Sequence, residues 1–167
     1  MNILKIGMYI PVVVSIFLPQ LQAKESNSSF FIGSSVNFSS FKDGDGGGGP
    51  SISSEGIDIR AGYQFGDYLK LTVGYGAARL GAGELNGAGS NISPLFARIR
   101  PQWIFENGFL VYVEAGILTT SEGEGAMAGF GLGYTRGQHE ISVGYEDTQV
   151  DDEFSVTALS FQYYFHF

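Results

Sequence analysis

A chain of 167 residues without cysteine has no disulfide framework and no thiolate metal site, and its formal charge of −8 has the wrong sign for nucleic acid. It holds 25 glycines, 14 phenylalanines and 9 tyrosines, and no long polar-periodic helix can be traced, which is the composition of an all-β chain. Beyond the leader-like start, no segment offers the ~18 consecutive apolar residues of a membrane-crossing helix.

The chain opens with Lys5 and an apolar run from Ile6 to Leu18. Pro19-Gln-Leu-Gln-Ala23 follows, placing Leu21 and Ala23 at the small-residue cleavage positions of a secretory signal peptide. The run is shorter than the ~20 residues that span a bilayer, so removal of residues 1–23 is expected rather than their retention as an anchor. Residues 24–167 then form one domain. Lys5 leaves with the leader, so the charge of −8 becomes −9.

Alternate side chains of a strand point to opposite faces, and eight segments of alternation follow in order. They run Ser29–Ser40, Gly56–Phe65, Tyr68–Leu80, Ile92–Phe105, Phe109–Leu118, Ala126–Thr135, His139–Glu146 and Phe154–Phe167. In each, one alternate set is apolar, as in Phe30, Ile32, Val36, Phe38 of the first and Leu159, Phe161, Tyr163, Phe165, Phe167 of the last. Strands of about ten residues match a tilted membrane crossing. The connections also alternate: Gly66-Asp67, Glu106-Asn-Gly108 and Gly137-Gln138 are tight turns, while Phe41–Glu55, Gly81–Ser90, Thr119–Gly125 and Asp147–Glu153 are longer. Aromatic residues crowd the short-turn side, where Phe65, Trp103, Phe105, Phe109, Tyr134, Phe165 and Phe167 predict an interfacial girdle.

The rival arrangement is a soluble lipocalin-type barrel, with its apolar residues inside. The opposite alternate set decides against it. That set holds Asp58, Arg60, Lys70, Arg98, Arg100, Glu114, Glu140 and Glu146, but also Gly62, Gly74, Gly76, Gly116, Gly129, Gly131, Gly133 and Gly144. Glycine on a solvated strand face weakens the strand for no gain, whereas in a narrow lumen it makes room for long charged side chains from neighbouring strands. The expected fold is therefore all-β: an eight-stranded antiparallel transmembrane barrel, an up-and-down meander with both termini periplasmic. Pro101, inside the fourth strand, forfeits a ladder hydrogen bond and is expected to mark a bulge.

The eight-strand plan, the Gly62-Tyr-Gln-Phe-Gly-Asp-Tyr-Leu69 and Phe105-Glu-Asn-Gly-Phe109 turns and the terminal aromatic strand resemble the small OmpA-like and OmpX/Ail-like outer-membrane β-barrel proteins. The resemblance spans residues 24–167 and implies a place in the outer membrane of a Gram-negative bacterium, among its lipid and lipopolysaccharide, as a monomer. It also implies insertion by the outer-membrane assembly machinery, which reads a terminal strand matched here by Phe161, Tyr163, Phe165 and Phe167. With the terminal strand ending at Phe167, the periplasmic peptidoglycan-binding domain of full-length OmpA-type proteins is not expected.

The lumen charges balance, four acidic against four basic, and an eight-stranded barrel is just wide enough for side chains to fill it. The three-residue turn sets Phe105 opposite Phe109 and, five residues up each strand, Arg100 opposite Glu114, which predicts an ion pair. The cluster reads either as a selective pore or as a plug that fixes the fold; the narrow lumen favours the plug. No cofactor or metal is expected. Asp43-Gly-Asp-Gly-Gly-Gly-Gly-Pro50 lacks the later carboxylates of a calcium loop and the lysine of a phosphate loop. Both histidines, His139 and His166, fall on the short-turn side, away from lipopolysaccharide, which argues against a lipid A-modifying enzyme. The long loops are acidic, with Asp43, Asp45, Glu122, Glu124, Asp147, Asp151, Asp152 and Glu153, so a basic external partner fits them electrostatically. The resulting expectation is a non-enzymatic protein with a structural or surface-interaction role. A narrow porin-like channel is the second reading.

Overall fold

The computed structural model describes residues 28–43, 52–80, 91–120, 123–150 and 154–167. The expected leader and the loop residues Asp45, Glu122, Asp151, Asp152 and Glu153 lie outside these. Nine strands form: β1 (Ser29–Asp43), β2 (Ile52–Phe65), β3 (Leu69–Leu80), β4 (Asn91–Ile92), β5 (Leu95–Ile104), β6 (Phe109–Thr119), β7 (Glu124–Arg136), β8 (His139–Val150) and β9 (Phe154–His166). Successive strands pair antiparallel, and β9 returns to β1 with Val36 opposite Phe161, which closes the barrel. β4 and β5 hold one register against β3, with Ala78 opposite Ile92 and Tyr75 opposite Leu95, and the Gly76 amide donates to the Pro94 carbonyl between them at 2.8 Å. They are one barrel strand, so the barrel has eight.

All eight expected segments are strands, but their long-loop ends run further than the alternation indicates. β1 reaches Asp43, β2 starts at Ile52, β7 starts at Glu124 and β8 reaches Val150. Asp43, Glu124 and Asp147 therefore stand on strand ends rather than in loops. The reason is physical: the apolar period stops where lipid stops, whereas ladder hydrogen bonds continue into water.

Pro101 brings no bulge. Ile99 pairs with Ala115 and Gln102 with Tyr112, the same register on both sides, and only Arg100 and Pro101 drop out of the β5–β6 ladder. The Gln102 amide bonds the other way, to the Tyr68 carbonyl at 2.8 Å, so the position without an N–H faces β6 and one lost bond suffices.

The two faces are inverted relative to a soluble barrel. Outward Ile59, Ile117 and Phe130 are 68%, 67% and 61% exposed, while inward Lys70, Gln102, Arg100 and Glu140 are at 1% or less. The apolar band is bounded on the long-loop side by Glu55, Thr119, Glu124 and Asp147, all exposed. Leu159 to Phe167 supplies five outward apolar side chains, the length of a tilted strand crossing of about 9–11 residues. At the short-turn rim Tyr63 stacks edge-on against Phe30 and Phe65, Phe105 lies beside Trp103 and Phe109, and Phe165 beside Phe167. Tyr134 stands exposed at the same rim, opposite Phe109.

Candidate functional site

Alternation places all eight lumen charges inward, and all are buried. They collect into three groups. Arg60 clasps Asp58 with two bonds, Nε to Oδ1 at 2.5 Å and Nη2 to Oδ2 at 2.8 Å, and Asp58 also accepts from Ser35 and Asn37. Arg98 donates one Nη1 to Glu146 at 2.8 Å and to Glu114 at 3.3 Å. Glu140 receives Lys70 at 2.5 Å and Arg100 at 3.0 Å. The first and third groups are joined: Arg60 donates to the Tyr164 hydroxyl, which donates to Gln162 Oε1, the atom that Arg100 also approaches at 3.4 Å.

The expected Arg100–Glu114 pair does not form, although the backbone register puts the two residues opposite each other. Arg100 lies flat over the Tyr112 ring, 3.5 Å from its centroid, and reaches across the lumen to Glu140 on β8. Glu114 goes instead to Arg98. In a lumen this narrow a guanidinium on a long stem finds its acid on the far wall as easily as on the next strand.

Sequence reading missed the aromatic floor of these networks. Phe31, Phe96, Tyr112 and Tyr164 are buried inward, and each sits where a glycine on a neighbouring strand leaves room. A Cβ added at Gly62 would meet Phe31, at Gly74 Phe96, at Gly131 and Gly144 Tyr112, and at Gly33 Tyr164. The cations then stack on the rings: Arg98 over Phe96 at 4.4 Å and Lys70 over Tyr164 at 4.2 Å. Glycine thus makes room mainly for rings, and for charged stems directly at Gly116 and Gly129, beside Arg98 and Glu146. The signal was available, since each ring occupies the inward parity of its strand.

His166 closes the short-turn end of the lumen. Its Nδ1 lies 3.0 Å from Ser29 Oγ and its Nε2 3.7 Å from Glu140 Oε2. His139 is exposed on the rim, 2.7 Å from the Tyr163 hydroxyl. Among the described residues no group of three or more His, Asp or Glu is placed to hold a metal ion. On the opposite rim Asp147 accepts the Ser155 hydroxyl at 3.2 Å.

No family model and no curated protein sequence matches the chain. Solved structures do. Neisserial surface protein A is similar at TM-score 0.67 and 15% identity, over 85% of this chain and 100% of that one. Ail, the attachment invasion locus protein of Yersinia pestis, in complex with the heparin analogue sucrose octasulfate, is similar at 0.53 and 16%, over 83% and 99%. A de novo designed transmembrane β-barrel is similar at 0.50 and 17%, over 84% and 98%. The fold is that of a small eight-stranded outer-membrane β-barrel. A designed barrel shares it, so the fold by itself assigns no activity.

Proposed function

We propose that the protein resides in the outer membrane of a Gram-negative cell as a non-enzymatic barrel with a structural or surface-interaction role, and that it does not conduct solutes. On this reading residues 1–23 direct export, both termini are periplasmic, and Phe161, Tyr163, Phe165 and Phe167 address the chain to the assembly machinery. The long-loop rim then faces outward, where its acidic residues meet divalent cations or a basic partner.

The observation that carries the reading is the filled lumen: eight buried charges that cancel, each held by a partner, over a floor of aromatic rings. A conducting pore needs sites that an ion can enter and leave, and here protein groups occupy them. The Ser29–His166–Glu140 line has the composition of a hydrolase triad but not its working parts. The acid stands 3.7 Å from the ring, beyond hydrogen-bond length, and is already shared between Lys70 and Arg100. Planar-bilayer recordings on the refolded barrel test the proposal. Silence at 100–200 mV (~2.3 kcal/mol per charge per 100 mV) is expected, and discrete steps that scale with protein added would replace it with the channel reading. Mass spectrometry of lipid A from cells with and without the protein should show no difference.

A further inference from the structure

We propose that Arg136 and His139, its imidazole held by Tyr163, bind the phosphate of a phospholipid whose acyl chains lie in the groove directly above them. The inference takes from the membrane-barrel reading only the position of the short-turn rim at a bilayer surface.

Arg136 and His139 flank the two-residue turn Gly137-Gln138 and stand directly opposite each other. Both continue the outward parity of Tyr134 and Ile141, so both side chains face the lipid side, one step beyond the girdle that marks the headgroup level. The imidazole is fixed: it bonds the Tyr163 hydroxyl at 2.7 Å and packs against the rings of Tyr163 and Phe165, with centroids at 6.0 and 5.4 Å. In the tautomer whose Nδ1 accepts from the Tyr163 O–H, the Nε2–H is left as a donor directed away from that contact.

Arg136 is exposed and makes no ion pair among the described residues, whereas Arg60, Lys70, Arg98 and Arg100 are all consumed in the lumen. The nearest turn acid on the neighbouring hairpin is Glu106, whose turn touches β7 through the Thr135 amide and the Gly108 carbonyl at 2.8 Å without an ion pair to Arg136. A guanidinium fork beside an imidazole N–H, with no carboxylate between them, is complementary to a phosphodiester. The second half of the site is apolar. A groove of about 550 Å³ opens on the outer wall immediately above, lined by Leu132, Tyr134, Ile141, Val143, Phe161 and Tyr163. A guanidinium and an imidazole N–H at the headgroup level, below an apolar groove on the outer wall, describe one ligand, a phospholipid.

The test is a native mass-spectrometry titration of the folded barrel in detergent micelles with dimyristoyl-phosphatidylglycerol. Dimyristoylglycerol, which lacks the phosphate, and inorganic phosphate serve as the other arms. The wild type should bind phosphatidylglycerol at least tenfold more tightly than either. R136Q/H139N should lose about tenfold, as expected for two charge-assisted hydrogen bonds at a partly wet site. Y163F should lose part of this by freeing the ring, and E106Q should bind as the wild type or better. All four substitutions lie on the exposed rim, and heat-modifiable migration on gels reports whether each variant is folded; R136Q and H139N singly replace the double variant if it is not. Equal binding of phosphatidylglycerol by wild type and the folded variants overturns the site, as does equal binding of dimyristoylglycerol by the wild type. Neither result bears on conductance, so this proposal and the functional reading fail separately.

Discussion

At the residue scale, the lumen distributes its risk unevenly. Among the described residues Glu140 is the single acid paired with both Lys70 and Arg100, so Glu140→Ala strands two buried cations, and the expected loss is about 3–5 kcal/mol. Glu114 shares Arg98 with Glu146, which holds the shorter bond. Glu114→Ala therefore leaves a compensated pair behind, and its expected cost is about 1–2 kcal/mol. Urea unfolding of both variants in the same micelles checks the order, and equal losses would refute the assignment of partners. The ring-on-glycine contacts make a second prediction. A Cβ at Gly144 lands on the Tyr112 hydroxyl, with Ser160 Oγ and Gln162 Nε2 next at 3.0 and 3.2 Å. Gly144→Ala should cost about 1–3 kcal/mol by overpacking. The Tyr112 hydroxyl has no hydrogen-bond partner among the described residues, so Tyr112→Phe should be nearly neutral. In that background the cost of Gly144→Ala should fall by at least half in a double-mutant cycle.

At the scale of elements, the strands were legible because one face of each meets lipid and the other a packed lumen, which is the strongest period-two signal a chain can carry. Hairpin register was legible for the same local reason. The Phe105 amide does donate to the Phe109 carbonyl, at 2.8 Å, as the Glu106-Asn107-Gly108 turn requires. The strand ends were not legible, because Asp147 to Val150 pairs with β7 beyond the apolar band and leaves no hydrophobic trace. Pro101 misled in the other direction, since one missing donor does not oblige the chain to insert a residue. The turns themselves make a graded prediction. Gly108 and Gly137 both hold left-handed backbone, at φ 86° and 61°, but a Cβ at Gly108 meets the Thr135 carbonyl at 2.5 Å, whereas one at Gly137 meets nothing within 4 Å. Gly137→Ala should cost about 1–2 kcal/mol from backbone strain alone, and Gly108→Ala should cost more. Equilibrium unfolding that ranks them the other way would contradict the turn geometry.

At the scale of the whole molecule, which residues enter the lumen could be read from parity, but who meets whom there could not. Partners in a closed barrel are set by tilt and shear, which carry Arg100 of β5 to Glu140 of β8 past its register neighbour on β6. The closure itself, β1 against β9, joins the ends of the described chain and has no local signature. The central claim is that this barrel is inside-out, apolar wall to lipid and charge to the core. The chain has no cysteine, so single cysteines can be introduced without background. Nitroxide labels at Ile57, Ile59, Val73, Ile117 and Leu132, read in liposomes against oxygen and a water-soluble nickel chelate, test the claim most directly, with Asp147 as the rim control. Oxygen should dominate at the five wall positions and the chelate at Asp147. Chelate-dominated relaxation at the wall positions would contradict the account.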